Sequence, residues 1–401
     1  MVHAVSLLLV IVAAVRPRQS GVVRVGGSAL PGAPRLDGKT PAVPPVTDLV
    51  LLLAGLGLVV LTLTDAIGTL VVARGITRRW RPSSQFYRVT WHLWRAVGRR
   101  LHGHREGFLS AYAPLTLLGL LGLWLIGLLV GWALVYWAGD GSIEGDSGFA
   151  SLVYYSGTCL MTLGFGDILA QTSLLRVAAL AEAATGVATM ALAIAYLPVL
   201  YAAYGRRESQ LLTLDDPSGE RIQPTALVRI WAPGGDTDRL YRFFGEWESW
   251  TADILESHVS YPMLALFRSQ HSGQSWVTAL GVVLDAAVLT CAAVPGAELR
   301  EPYFMYRRGR RALNEIGRRL PRTAEAQAPL ARDQFAIAYG RLADTGLPLR
   351  DADEAWDRLI QYRSTYGTTL QTLIDYLLAP AGFWGHSAED AGDEGYVEPD
   401  D

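Results

Sequence analysis

The sequence predicts an all-α membrane protein, with several transmembrane helices and an α-helical domain outside the bilayer. Half of the 401 residues are hydrophobic and only 18% are charged, a balance too apolar for a disordered or heavily solvated chain. Three apolar stretches, residues 47–73, 110–138 and 173–204, exceed the roughly 20 residues that a helix needs to cross a bilayer. Beyond residue 207 the apolar residues recur at spacings of three and four instead, the pattern of half-buried helices in a soluble domain.

Six segments follow in order. Residues 1–46 hold a short apolar run, 5–15, that reads as a signal-like or interfacial segment or else as an uninformative extension; Arg16 and Arg18 follow it, whereas a signal peptide has its basic residues in front. A linker rich in Pro and Gly comes next. Residues 47–73 form the first span, in which Asp65 reads as a polar contact to an adjacent helix. Residues 74–108 carry Arg74, Arg78, Arg79, Arg81, Arg88, Arg95, Arg99, Arg100 and Arg105 against a single acid, Glu106. The positive-inside rule puts this linker in the cytoplasm. Within it, residues 84–104 read as an amphipathic helix. Phe86, Val89, Leu93, Val97 and Leu101 form its apolar face, and Arg88, Arg95, Arg99 and Arg100 are placed to meet anionic lipid.

The fourth segment, residues 109–207, has acids at its outer turn (Asp140, Glu144, Asp146) and bases at its end (Arg206, Arg207), which agrees with that orientation. Trp132, Tyr136 and Trp137 mark the outer interface, and Tyr196, Tyr201 and Tyr204 the inner one. Between the spans lies an apolar stretch, 149–168, too short to cross twice. Such a segment is tolerated at membrane depth only where protein or a wet cavity surrounds its backbone. It contains Thr162-Leu163-Gly164-Phe165-Gly166-Asp167. A cation filter needs carbonyl oxygens aimed at a dehydrated ion along an extended strand, and alternating glycines permit the backbone angles this requires. Threonine adds a hydroxyl oxygen at the inner end, and an outward aromatic holds the ring open.

With those residues in view, the segment resembles the pore loop of the tetrameric potassium-channel family, whose filter reads Thr-Val-Gly-Tyr-Gly followed by Asp. The resemblance covers about residues 110–207. It implies a pore module with an outer helix (110–138), a pore helix (149–161), a filter (Thr162, Leu163, Gly164, Phe165, Gly166) and an inner helix (173–204). It further implies a homotetramer in the plasma membrane, with potassium held by Thr162, Leu163, Gly164 and Phe165. Asp167 would anchor the outer end of the filter, and Tyr154 and Tyr155 resemble the aromatic pair that cuffs it. Leu163 and Phe165 depart from the usual valine and tyrosine. Met161 stands where another threonine is usual and Thr158 where some members have a glutamate, so the polar support of the filter differs.

Gly186, twenty positions beyond Gly166, resembles the gating hinge of that family, with close packing as the alternative; Pro198 should kink the helix below it. Glu182 lies inside a span, where it either faces the pore or is a hydrogen-bonded carboxyl behind the filter. No span carries arginines at every third residue, so a voltage sensor is not expected.

Residues 208–380 form the predicted helical domain on the cytoplasmic side. Leu240, Phe243, Trp247, Trp250 and Ile254 make one stripe, and Trp356, Leu359, Tyr366, Leu370 and Leu373 another; Asp236 and Asp351 mark helix starts. The run 275–294 is apolar enough to span, but it contains Asp285, and crossing would strand Arg307–Arg311 on the wrong side; it reads as a buried core helix. Residues 381–401 are an acidic tail of disordered composition. No dinucleotide fingerprint, P-loop, EF-hand or nucleophile elbow is present, so no enzyme activity and no organic cofactor are expected. The net charge of −3 speaks against nucleic acid. Two distant cysteines, and His102 and His104 without acidic partners, speak against a disulfide scaffold or metal site. The helical domain could assemble the tetramer, bind a ligand or dock a partner. The alternative to a channel is a non-conducting, membrane-anchored sensor or scaffold in which that domain carries the function.

Overall fold

The computed structural model describes residues 46–71, 81–101, 105–139, 143–144, 148–214, 223–269, 274–318 and 330–380. The expectations for the signal-like segment, the linker after it, Arg74, Arg78, Arg79, His102, His104, Asp140, Asp146 and the acidic tail lie outside the described residues. Helices run as α1 Val46–Leu70, α2 Pro82–Gly98, α3 Arg105–Ser110, α4 Tyr112–Ala138, α5 Phe149–Leu160 and α6 Ser173–Leu211. They continue as α7 Pro224–Trp231, α8 Thr237–Ser260, α9 Trp276–Ala293, α10 Glu301–Gly317, α11 Arg332–Ala343, α12 Ala352–Arg363 and α13 Gly367–Leu377. Among the described residues the sheet is one short antiparallel pair, β1 Ile143–Glu144 with β2 Leu169–Ala170. This is an all-α membrane protein, with helical stretches long and apolar enough to cross a bilayer at Val46–Leu70, Arg105–Ala138, Ser173–Leu214 and Trp276–Ala293.

The chain divides into two compact units. One comprises Met1–Ile67, Thr77–Val89 and Leu120–Ala191, the other Gly68–Ile76, Thr90–Gly119 and Leu192–Asp401. In the first, α1 packs closely along α4 because small residues face each other: a Cβ on Gly55 would lie 2.7 Å from the Gly131 carbonyl oxygen. Lipid tails are as apolar as leucine, so such close backbone approach, and not hydrophobic exclusion, holds membrane helices together. Asp65 is the polar contact expected in α1. Buried to 2% exposure, its carboxylate accepts from the Ser83 N–H (3.0 Å), the Ser83 hydroxyl (2.8 Å) and Trp124 Nε1 (3.0 Å). It also pairs with Arg81 at 3.3 Å. One charge thereby caps the first turn of α2 and ties α1 to α4, which offsets its desolvation.

In the second unit, α9 is enclosed by protein along almost its whole length, including Asp285, which accepts hydrogen bonds from the Tyr366 hydroxyl and from Arg363. The orphan carbonyls at its C-terminal end are met by Arg350, which donates to the carbonyls of Cys291 (3.1 Å), Ala292 (3.1 Å) and Val294 (3.0 Å). The predicted stripe of α8 is buried throughout. Asp236 caps α8 by accepting from the N–H groups of Asp238 and Arg239, and Asp351 caps α12 in the same way.

Three expectations are corrected here. Arg95 does not face lipid: it is 8% exposed, donates to the Asp375 carbonyl (2.9 Å) and lies over the Tyr376 ring. The face of α2 turned inward is Trp91, Arg95 and Gly98, whereas Val89, Leu93 and Val97 are exposed. Helix α6 continues past its predicted end at 204 and runs unbroken through Pro198. Two of its expected interfacial tyrosines contact protein instead. Tyr196 meets Tyr261 edge-on at 5.7 Å, and Tyr204 donates to the Arg268 carbonyl at 3.1 Å.

His258, on α8, is fully enclosed against Trp276 and engages the Ile254 carbonyl through Nδ1 (2.9 Å). Burial, reinforced by the nearby Arg207, pushes its imidazole down to about 3. The unfolded chain therefore takes up this proton first. Stability present above pH 6.5 is lost as the pH falls toward 3, at up to about 1.4 kcal/mol per pH unit. The expected outcome is that thermal melts of the full-length protein in detergent show this slope between pH 6 and 4 and that His258→Gln flattens it; an unchanged slope would assign the acid sensitivity to other groups.

Candidate functional site

The segment carrying the motif is built from α5, the strand-like run after it and α6. Helix α5 ends at Leu160 with Met161 as its cap, and the turn is closed by Met161 N–H to the Gly157 carbonyl and Thr162 N–H to the Cys159 carbonyl, both at 3.0 Å. Thr158 is the anchor. Its carbonyl accepts from Leu163 N–H (2.8 Å) and Gly164 N–H (3.4 Å), and its hydroxyl donates to the Tyr155 carbonyl (2.8 Å). Support that the sequence sought in polar side chains is thus carried largely by the backbone.

Thr162, Gly164 and Gly166 have φ of +56°, +58° and +78°, while Leu163 and Phe165 do not enter the left-handed region. Alternating left- and right-handed residues turn successive peptide units so that their carbonyls line one side of the strand, which an ordinary β-strand cannot do. Glycine adopts those angles freely, but a β-branched residue there is an outlier costing about 1–3 kcal/mol. Strain of this kind at Thr162 marks a backbone shaped for something other than stability. The residues from Met161 to Asp167 are all exposed in the single chain.

The flanking aromatics differ in role. Tyr154 stacks on Phe165 with ring centroids 6.5 Å apart and is hydrogen-bonded to the Asp167 carboxylate, which ties the outer end of the strand to α5. Tyr155 is buried and meets Tyr136 of α4 edge-on at 5.0 Å. Glu182 is fully buried in the single chain. Its carboxyl accepts from Tyr136 on α4 (2.6 Å) and from Ser156 on α5. Sequence reading missed Ser156 and Tyr136 as its partners, although a serine two residues before Thr158 in an apolar helix was a visible signal. One turn further along α6, Gly186 is pressed against the end of α5, where a Cβ would lie 2.1 Å from the Leu160 carbonyl oxygen. Pro198 lies twelve residues beyond it within the same helix.

Residues 120–201 match a family described as Ion channel, Ion_trans_2. Among curated proteins, the Uncharacterized membrane protein YdjJ of Bacillus subtilis (strain 168) is similar, with 23% identity over 211 residues. That alignment covers 51% of this chain and 60% of the relative, so the chain spans less than two thirds of that protein's length. No solved structure matches. The strand, α5 and most of α6 thus fall within the residues that match an ion-channel family.

Replacing Gly186 by alanine forces α5 and α6 apart, at a cost of about 1–3 kcal/mol. The expected result is a lowered melting temperature in detergent, with Gly205→Ala, whose Cβ meets open space, as the neutral control. Equal melts for the two variants would show that the α5–α6 approach is not tight.

Proposed function

We propose, taking the ion-channel pore domain of residues 120–201 as premise, that this chain is the subunit of a homotetrameric, potassium-selective channel. The observation that carries the reading is the alternation of left-handed backbone at Thr162, Gly164 and Gly166. Four such strands around one axis would surround a dehydrated potassium ion with the carbonyl oxygens of Thr162, Leu163, Gly164 and Phe165 and the Thr162 hydroxyl. One chain supplies one strand, so closure needs cyclic symmetry. The exposure of the strand in the single chain fits a surface shared among copies.

Conduction is passive and makes or breaks no covalent bond. Potassium is the cargo, moving between adjacent carbonyl cages in file. Phe165 keeps the backbone carbonyl of the usual tyrosine and lacks its hydroxyl, and Tyr154 reaches Asp167 directly, so the outer support of the strand does not need a hydroxyl at residue 165. Gating lies on the inner helix, with Gly186 held at the pore helix and Pro198 as the place where the helix gives, because proline removes one intrahelical hydrogen bond there. The helical domain is the regulatory part, on the cytoplasmic side of the plasma membrane, for a ligand or protein partner. Arg88 with the exposed Val89, Leu93 and Val97 on α2, and Arg99 and Arg100 in the turn after it, form the surface for anionic lipid.

The test is potassium against sodium flux from liposomes holding the full-length protein, with barium as filter blocker. Potassium-selective, barium-sensitive flux is expected. Gly164→Ala, which puts an L-side chain at φ +58° at about 1–2 kcal/mol for each of the four strands, should abolish it without dispersing the tetramer. Unaltered flux in that variant would remove the filter assignment, and a monomeric, non-conducting wild type would favour the sensor or scaffold.

A further inference from the structure

Glu182 lies where three helices meet. Its two carboxyl oxygens are held by hydroxyls from different elements, Tyr136 on α4 at 2.6 Å and Ser156 on α5. The Ser156 oxygen is also 2.9 Å from the Leu129 carbonyl of α4. Three residues further along α6, the Thr185 hydroxyl donates to the Glu182 carbonyl (2.7 Å) and accepts from Trp132 Nε1 of α4 (3.3 Å). Elsewhere on α5 the packing is largely apolar, with Leu152, Tyr155 and Leu160 against Leu128, Trp132 and Val135. Apolar packing is non-directional and lets helices slide. A carboxyl bridging two hydroxyls fixes both distance and angle.

The spacing gives this bridge a mechanical consequence. Glu182 meets Ser156 and Gly186 meets Leu160, so four residues on α6 match four residues on α5 at both points. The same turn of α5 carries Thr158, whose carbonyl holds the N–H groups of Leu163 and Gly164. A displacement of α6 at Glu182 is therefore handed to Ser156 and, two residues on, to the carbonyl from which the filter strand hangs.

We propose that Glu182 is a positioning residue that lets the inner helix set the state of the filter, by fixing the pore helix to α6 through Ser156. The inference rests on the channel reading and goes beyond it in assigning regulation to the filter itself, with α5 as the transmitting element. Glu182 touches no ion. It acts through Ser156 and Thr158, and its loss uncouples the filter from the inner helix.

The experiment uses full-length protein in liposomes and compares wild type with Glu182→Gln, Ser156→Ala, Tyr136→Phe and the double variant Ser156→Ala with Glu182→Gln. Barium half-block and the rubidium-to-potassium flux ratio report on the filter, total flux reports on the gate, and size-exclusion profiles report on assembly. In intact tetramers, Glu182→Gln and Ser156→Ala should each shift barium half-block by about fivefold or more. The double variant should go no further than Glu182→Gln alone, since both changes cut one tie. Additive shifts, or altered total flux with barium block and ion ratio unchanged, would overturn the proposal. If Glu182→Gln fails to assemble, Ser156→Ala and Tyr136→Phe, each lacking one hydroxyl, carry the test by the same criteria. A wild type without potassium flux withdraws the channel reading and the tie with it, whereas a conducting wild type with unshifted variants removes the tie alone.

Discussion

The constraint on which the rest depends is the hydrogen-bonding need of non-helical backbone set between helices apolar enough to cross a membrane. Each unsatisfied N–H or carbonyl costs several kcal/mol there, and the run from Met161 to Gly166 has no helical ladder to satisfy it. The Thr158 carbonyl takes up two of those N–H groups, and the Cys159 and Gly157 carbonyls two more. The C-terminus of α5, which would otherwise leave its last carbonyls as orphans, thus serves as the hook for the strand. This arrangement demands that α5 itself be fixed. The buried contacts of Tyr155, Ser156 and Leu160 with α4 and α6 serve that end.

Helix C-termini raise the same problem in the second unit, and arginine solves it repeatedly. Arg350 caps α9. The last carbonyls of α13 receive Arg95 at Asp375 (2.9 Å), Trp91 at Tyr376 (3.3 Å) and Arg268 at Leu377 (2.9 Å). A guanidinium suits this place because it carries several donors in a plane and a positive charge where the helix dipole is negative. Arg268 also pairs with Glu106, at 2.7 Å. Basic residues that look in sequence like a topology signal are in part structural caps. Charge counting reads how many arginines lie on one side and says nothing of which are occupied.

That distinction explains what could be read in the chain and what could not. Long apolar runs located α1, α4 and the start of α6 to within a few residues, and the aspartates at 236 and 351 located helix starts because the capping chemistry is local. Helix α9 read as a core helix from Asp285 and from the arginines at 307–311 that a crossing would strand, and Asp285 finds Tyr366 and Arg363 far along the chain. Arg95 was misplaced because the wheel of α2 has two apolar sides. Val89, Leu93 and Val97 form the more regular stripe, yet the tryptophan side wins the interior, since Trp91 buries more surface and its N–H finds a carbonyl. Within the candidate site, the motif itself exposed the strand, whereas the facing of Glu182 depends on the packing angle of three helices, which no single periodicity encodes.

The end of α6 follows from the same physics. Arg207 is 1% exposed, and its guanidinium donates to the carbonyls of Leu264 (2.9 Å) and Phe267 (2.8 Å) and to Glu208. Its own carbonyl accepts from Trp250 Nε1 at 3.3 Å. A charge this deep is tolerated only because it is paired and its donors are used, and removing a partner would leave it uncompensated. The last turns of α6 are therefore gripped through directional bonds to α8 and to the 3₁₀ turn at Pro262–Leu266. Helix α6 also passes through Pro198, where it lacks one backbone hydrogen bond. Any strain applied to its gripped end concentrates at that weakest position, because the bonded turns on either side resist bending and the proline turn does not.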